Sequence, residues 1–445
     1  MRLSHALRIP QSTIRNPPSA IAFVGAGGKT TALFQLASEL PPPVIVTATT
    51  HLAIQQTKLA DRHISAQTPE DLNCLNEASR TGVTLVTGVI DGDRTRGISN
   101  VMLNWLHAYC DRRDLPLLIE ADGARQKPLK APAAHEPPIP EFTRLVVVTA
   151  GLSALGKPLN EESVHRPEIF AQSSGLALRE TLTAEALARL LSHPQGGLKN
   201  IPPAARRVAL LNQADTPELQ AQAGALAKML LPSYHSVVIA SLQNGQVHAV
   251  HEPVAGIVLA AGEARRYGRP KQLLDWHGQP FVRAVTQTAL EAGLSPVIVV
   301  TGAYAEQVEA AIKDLPVKIV RNKEWQNGQS ASIRAGVRDG EGMGEVGAAI
   351  FLLADQPQVT PTILRALVER HAQDLPAIIA PLVQGQRANP VLFDRPTFPD
   401  LMALAGDVGG RAIFPKYKVA CVPWHDESLL MDIDTPEDYA KERPT

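Results

Sequence analysis

Apolar positions in this chain come in short unbroken runs rather than in alternation. In the first half IAFVG (21–25), VIVTA (44–48), VTLVT (83–87), LPLLIE (115–120), RLVVVT (144–149), RVALLN (207–212) and SVVIA (236–240) read as strands covered on both faces. Helical candidates lie between several of them, at 30–40, 98–112 and 216–230. That is the βαβ rhythm of a parallel sheet. The rhythm restarts after residue 250 with GIVLA (256–260), PVIVV (296–300), VKIV (317–320), AAIFLLA (348–354), AIIA (377–380) and KVACV (418–422). Between the halves SLQNGQVHAVHEPVAG (241–256) is polar, carries Gly and Pro, and suits a linker. The pattern predicts two α/β domains, each built around a mostly parallel sheet. Their expected spans are 1–245 and 256–445, with a linker at 246–255. His248 and His251 form an HxxH without a third ligand nearby, which reads as solvated linker rather than a metal site.

Length agrees with that division, since 445 residues exceed one core at about 150 residues per domain. Lys+Arg is 43 and Asp+Glu is 44, a formal charge of -1, so the chain lacks the basic surplus of a polyanion-coating protein. Aromatics at 4% are too sparse for a base-stacking platform, and nucleic acid is not an expected partner. Cys74, Cys110 and Cys421 are far apart and form neither a disulfide framework nor a thiolate metal site. The opening MRLSHALRIPQSTIRNP has no apolar core of a signal peptide, and no run approaches roughly 18 uncharged apolar residues. A cytoplasmic protein without membrane contact is expected.

Each sheet's first run ends in a glycine-bearing loop. In IVLAAGEARRYGRPK (257–271), Ala-Ala-Gly leaves no bulky side chain at the turn, so backbone N–H groups can approach phosphate oxygens. Arg266 and Lys271 then neutralise a triphosphate, one through a planar fork and the other as a compact charge. LLADQP (352–357) places Asp355 at the end of an apolar strand, where ligands of open parallel sheets bind. MDIDTPED (431–438) offers Asp434, and two carboxylates converging on a triphosphate suit Mg²⁺. Taken singly, Asp355 reads equally as a turn residue before Pro357, and Asp434 or Thr435 as a cap for a helix beginning at Pro436. Both acids in one sheet with one glycine loop favour the metal reading.

Residues 256–445 are similar to the molybdenum cofactor nucleotidyltransferases, in their cytidylyltransferase branch. The carrying motifs run in family order: LAAG (259–262) with Arg266, Gly268 and Lys271, NGQSASI (327–333), LADQP (353–357), NPVLF (389–393), GDVGGR (406–411) and DIDTPEDY (432–439). The resemblance implies a Rossmann-like, three-layer α/β/α fold, expected of both domains, and transfer of CMP from CTP to Mo-molybdopterin with release of pyrophosphate. It assigns Ala260, Ala261, Gly262, Gly268, Lys271 and Arg266 to the nucleotide, Asp355 and Asp434 to Mg²⁺, and Gln329, Ser330, Asn389, Gly409 and Arg411 to the substrates. LAAG in place of LAGG favours the cytidylyl branch, because a Cβ beside the base leaves room for a pyrimidine. Ala264 stands where Ser is common and Tyr267 where Met is common, which leaves the loop's hydrogen bonding open. A cofactor-binding insertion chaperone, and a nucleotidyltransferase for GTP or a sugar phosphate, are the alternative readings.

In the first half VGAGGKTT (24–31) follows an apolar strand and precedes a helix. The standard P-loop needs Gly at position 23, where this chain has Phe23, so the loop is the shorter GxxGKTT form found in Mur ligases. Gly25, Gly27 and Gly28 free the backbone N–H groups, Lys29 reaches the terminal phosphates, and Thr30, followed by Thr31, is placed to ligand Mg²⁺ beside the carboxylate of Glu120. Asp122 is a second acid there, with Arg125, Lys127 and Lys130 close behind. NQAD (212–215) is similar to the NKxD guanine-reading loop of GTPases, with Gln213 in place of Lys, and TATTHL (47–52) is a polar strand end or a substrate contact. With EADGARQKPLKAP (120–132) and HRPE (165–168), these motifs resemble the YqeC family over roughly 15–245. That resemblance implies an accessory role, using ATP or GTP, in maturing a selenium-dependent molybdenum hydroxylase, with transient contact to the apo-hydroxylase.

Overall fold

The computed structural model describes residues 1–9, 20–77, 81–263, 267–340, 342–431 and 438–439. The chain divides into two compact units, Met1–His251 and Glu252–Thr445.

The first unit holds a nine-stranded sheet. Its strands stand in the order Gln246–His251, Ser236–Ser241, Arg206–Asn212, Leu145–Gly151, Ala20–Gly25, Leu117–Glu120, Val44–Ala48, Val83–Thr87, Arg62–Ser65. All pair in parallel except Gln246–His251, which runs antiparallel at the edge. The unbroken apolar runs are the central strands, as continuous burial requires. Ala20, Ala22 and Val24 share a core with residues from helices Asn100–Asp111, Ala184–Ser192 and Pro217–Leu230. Residues 246–251, expected to begin the linker, are instead this edge strand. QVHAVH buries Val247 and Val250, three positions apart because the pairing shifts register between Ile239 and Ala240, and His248 bonds Ser241 Oγ at 2.9 Å.

The second unit's main sheet runs Lys318–Arg321, Val297–Thr301, Val254–Ala260, Ala348–Leu353, Val391–Asp394, Ile378–Val383, Gln386–Arg387, with Val419–Pro423 added in parallel beside Ile378–Val383. Val391–Asp394 is antiparallel to both neighbours, so the sheet is mixed. Along the first strand Val254, Val258 and Ala260 face one core, and Ala255 and Ile257 the other. Helices Phe281–Glu291 and Pro361–Asp374 cover the first face, and Gln329–Asp339 supplies Ile333 and Ala335 to the second. Among the described residues no helix is long and apolar enough to cross a membrane.

Candidate functional sites

In the second unit strand Val254–Ala260 is followed by Val297–Thr301 on one side and by Ala348–Leu353 on the other. The chain order reverses between the first and last of these, the place where open α/β sheets form a crevice. Ala260, Ala261 and Gly262 leave one strand there, and Asp355 leaves the other. A cavity of about 970 Å³ opens at this point, and its wall includes Ala260, Ala261, Gly262, Lys271, Gln329 and Asp355. Gly262 is exposed and a Cβ on it would meet nothing within 4 Å. Lys271 is buried in the turn Lys271–Leu273, and the Gln272 amide next to it donates to Gly262 O at 3.0 Å, closing the loop. The Ala261 methyl lies against the following strand's loop, since a Cβ on Gly302 would fall 2.7 Å from it.

Two further predicted motifs are laced together at the rim. Helix Gln329–Asp339 begins after Gly328, whose φ of +89° suits glycine. Asp407 Oδ1 accepts from Gln329 N at 3.0 Å, and Ser330 Oγ donates to Gly406 O at 2.5 Å. A Cβ on Gly409 would lie 2.7 Å from Gln329 Oε1. Arg411 Nη2 donates to Asn389 Oδ1 at 3.3 Å, which pairs those two residues. Gly268 sits in an exposed turn with φ +76°, and Tyr267 is buried with Leu274 and Phe281, an apolar role that Met would also fill. Arg266 and Asp434 lie outside the described residues. Motif reasoning missed Trp325, Arg334 and Asp407, which also line the cavity. Asp407 carried a signal, as the acid inside a glycine-rich turn.

The first unit's glycine loop joins strand Ala20–Gly25 to helix Lys29–Glu39. Gly25, Gly27 and Gly28 have φ of +91°, +81° and +117°. The loop is tightly enclosed: a Cβ on Gly25 would lie 2.3 Å from Thr149 O, and one on Gly27 2.3 Å from Gly151 N. Lys29 Nζ donates to Gly25 O at 2.6 Å and stands 3.1 Å from Asp122 Oδ1. Thr30 Oγ1 donates to Glu120 Oε2 at 2.8 Å, and Gln56 Nε2 donates to the same hydroxyl at 3.2 Å, while Thr31 is exposed. Burial raises the Glu120 carboxyl above its usual range, against the opposing pull of Lys29 and Thr30.

Charge continues from this loop in alternating sign toward half-buried Arg166. Lys130 Nζ lies 2.8 Å from Asp122 Oδ2 and 2.9 Å from Glu136 Oε2, and Arg166 forks onto Glu136 at 2.7 and 3.1 Å. Burial alone would raise the Glu136 carboxyl, but hydrogen bonds from Arg166 and Lys130 outweigh it and hold the group at about 2. Asp122 therefore serves Lys29 and Lys130, and Glu120 is the acid beside Thr30. Among the described residues no three His, Cys, Asp or Glu side chains gather as a metal-binding group.

The second unit has the layout of an α/β nucleotide-handling enzyme, with glycine loop, lysine and acid on one crevice. The YqeC protein family model matches residues 21–168, and the MobA-like NTP transferase domain model matches 256–421. The YqeC protein of Escherichia coli K12 is 35% identical over 201 residues, 44% of this chain and 76% of that protein. The nicotine blue oxidoreductase of Paenarthrobacter nicotinovorans is 32% identical over 200 residues, 41% of this chain and 93% of that protein. The probable molybdenum cofactor guanylyltransferase of Bacillus cytotoxicus is 28% identical over 136 residues, 30% of this chain and 64% of that protein. The chain belongs to the YqeC family over its first unit and to the MobA-like NTP transferase family over its second.

Proposed function

We propose that the second unit transfers CMP from CTP to Mo-molybdopterin and releases pyrophosphate, and that the first is a nucleotide-dependent accessory unit serving the same cofactor. The observation that carries the reading is the large cavity with Lys271 and Asp355 on its wall and the open glycine turn between strands. Family membership supports nucleotidyl transfer, and the guanylyltransferase relative supports the molybdenum cofactor as acceptor.

The terminal phosphate of the pterin attacks the α-phosphorus of CTP in line, and the bond from that phosphorus to the pyrophosphate oxygen breaks. Such transfer depends on positioning and charge neutralisation. The N–H groups of the open turn face the triphosphate, and buried Lys271 meets its negative charge from the cavity wall. The donors are oxygens, which fits Mg²⁺ shared with phosphate, and Asp355 with Asp434 would hold it. That ion would supply charge neutralisation at the transferring phosphorus. Ala261, with its methyl on the Gly302 side, is the position we assign to the choice of a pyrimidine.

In the first unit we assign the terminal phosphates of ATP or GTP to Lys29 and the loop Gly25–Thr31, and Mg²⁺ to Thr30 and Glu120. The adjoining hydroxyl and carboxylate are oxygen donors of the required kind. The finished cofactor passes to an apo molybdenum hydroxylase in the cytoplasm. The test is mass spectrometry of pterin products after incubating the protein with Mo-molybdopterin, Mg²⁺ and either CTP or GTP. A cytidylylated pterin supports the proposal; a guanylylated one replaces the base assignment, and unchanged pterin with both nucleotides rejects the reaction.

A further inference from the structure

NQAD (212–215) takes no part in the chemistry assigned so far, yet the fold places it on the rim of the first unit's glycine loop. Strand Arg206–Asn212 is parallel to Leu145–Gly151, which is parallel to Ala20–Gly25, so all three end on one edge of the sheet. Asn212 is buried at that edge; its Nδ2 donates to Gly27 O at 2.7 Å and its Oδ1 accepts from Leu242 N at 3.0 Å. The fit is close enough that a Cβ on Gly28 would lie 2.3 Å from Asn212 Nδ2. One side chain thereby ties the loops at 25–28, 212–215 and 241–244 into a single rim.

The next residues turn an acid outward. Gln213 has φ +62°, and its Oε1 accepts from Ser153 Oγ at 2.6 Å. Ala214 N donates to Ala240 O at 3.0 Å, and Asp215 follows, exposed. Helix Pro217–Leu230 is already capped by Thr216, whose Oγ1 accepts from Leu219 N at 3.3 Å, so capping does not account for Asp215.

A carboxylate only accepts hydrogen bonds. On its pairing edge guanine offers two adjacent donors, N1–H and the N2 amino group, whereas adenine and cytosine offer a ring-nitrogen acceptor beside one amino group. A carboxylate therefore matches guanine and meets the acceptor of the other bases with repulsion. We infer that the first unit reads guanine, with Asp215 accepting from N1–H and N2–H of a guanosine di- or triphosphate and Asn212 fixing the rim that presents it. The inference rests on the reading that Gly25–Thr31 hold that nucleotide's phosphates, and it narrows the choice between ATP and GTP.

Hydrogen exchange on the full chain with Mg²⁺ and added diphosphates tests it, because peptides covering 25–31 and 212–216 report this site alone. GDP is expected to slow exchange in both peptides, with ADP and CDP requiring concentrations higher by about tenfold or more. Asp215→Asn should lose the GDP response by a similar factor and gain a response to xanthosine diphosphate, which carries an acceptor oxygen in place of guanine's amino group. If ADP or CDP matches GDP, or Asp215→Asn leaves the GDP midpoint in place, the guanine assignment is overturned while protection of 25–31 preserves the phosphate reading. If no diphosphate protects 25–31, both are overturned.

Discussion

Both units open a sheet with an apolar strand that runs into glycine, and the two loops are finished in opposite ways. In the first unit the glycines adopt left-handed conformations and press against Thr149, Gly151 and Asn212, and the loop's lysine is paired with Asp122 inside the protein. In the second, Gly262 faces open space, and Lys271 and Asp355 line a cavity of about 970 Å³. An enclosed loop obtains its charge balance from neighbouring side chains. The open loop instead borders a cavity, with nothing packed against its glycine. A glycine-bearing strand end therefore becomes an enclosed loop beside a buried ion pair in one unit and an open turn on a cavity in the other.

That contrast can be broken or sharpened by experiment, and the largest effect belongs to the open site. Asp355→Asn is expected to lower CMP transfer by about 100-fold or more with the fold intact, as loss of a charge-stabilising group does. Near-normal turnover would remove Asp355 from the chemistry. Next comes a matched pair of substitutions. Gly27→Ala places a Cβ 2.3 Å from Gly151 N at φ +81°, and should cost about 3 kcal/mol in urea unfolding, whereas Gly262→Ala should stay within about 0.5 kcal/mol. Equal losses would show that the two loops are enclosed alike.

The smallest expected effect is on pH dependence. Burial, aided by Lys228, pulls the His251 ring from 6.5 down to about 4. A depressed histidine pKa means the folded state binds fewer protons than the unfolded state between those values. Stability from this group is therefore complete above pH 6.5 and declines as pH falls toward 4. Unfolding curves at pH 7 and pH 5 should show the decline, and His251→Gln should reduce it; an unchanged slope in that variant would assign the pH effect elsewhere.

Most strands were legible because continuous apolar runs admit few other readings. Arg62–Ser65 and Gln246–His251 were not, since edge strands keep polar residues on an uncovered face. Val391–Asp394 was hidden inside a motif read for its chemistry. At the sites, local spacing was enough to mark Lys29 and Thr30, and the strand end marked Glu120. Lys130, Glu136 and Arg166 form their chain of ion pairs across separations that no spacing rule relates: Glu136 and Arg166 are 30 positions apart. Only the fold brings them together.

Asp407 has one more implication. Its carboxylate already takes the first amide of helix Gln329–Asp339, so that helix start is occupied from within the protein. An anion reaching that helix start would have to displace this resident acid. That end of the cleft is thus already filled by the protein's own negative charge.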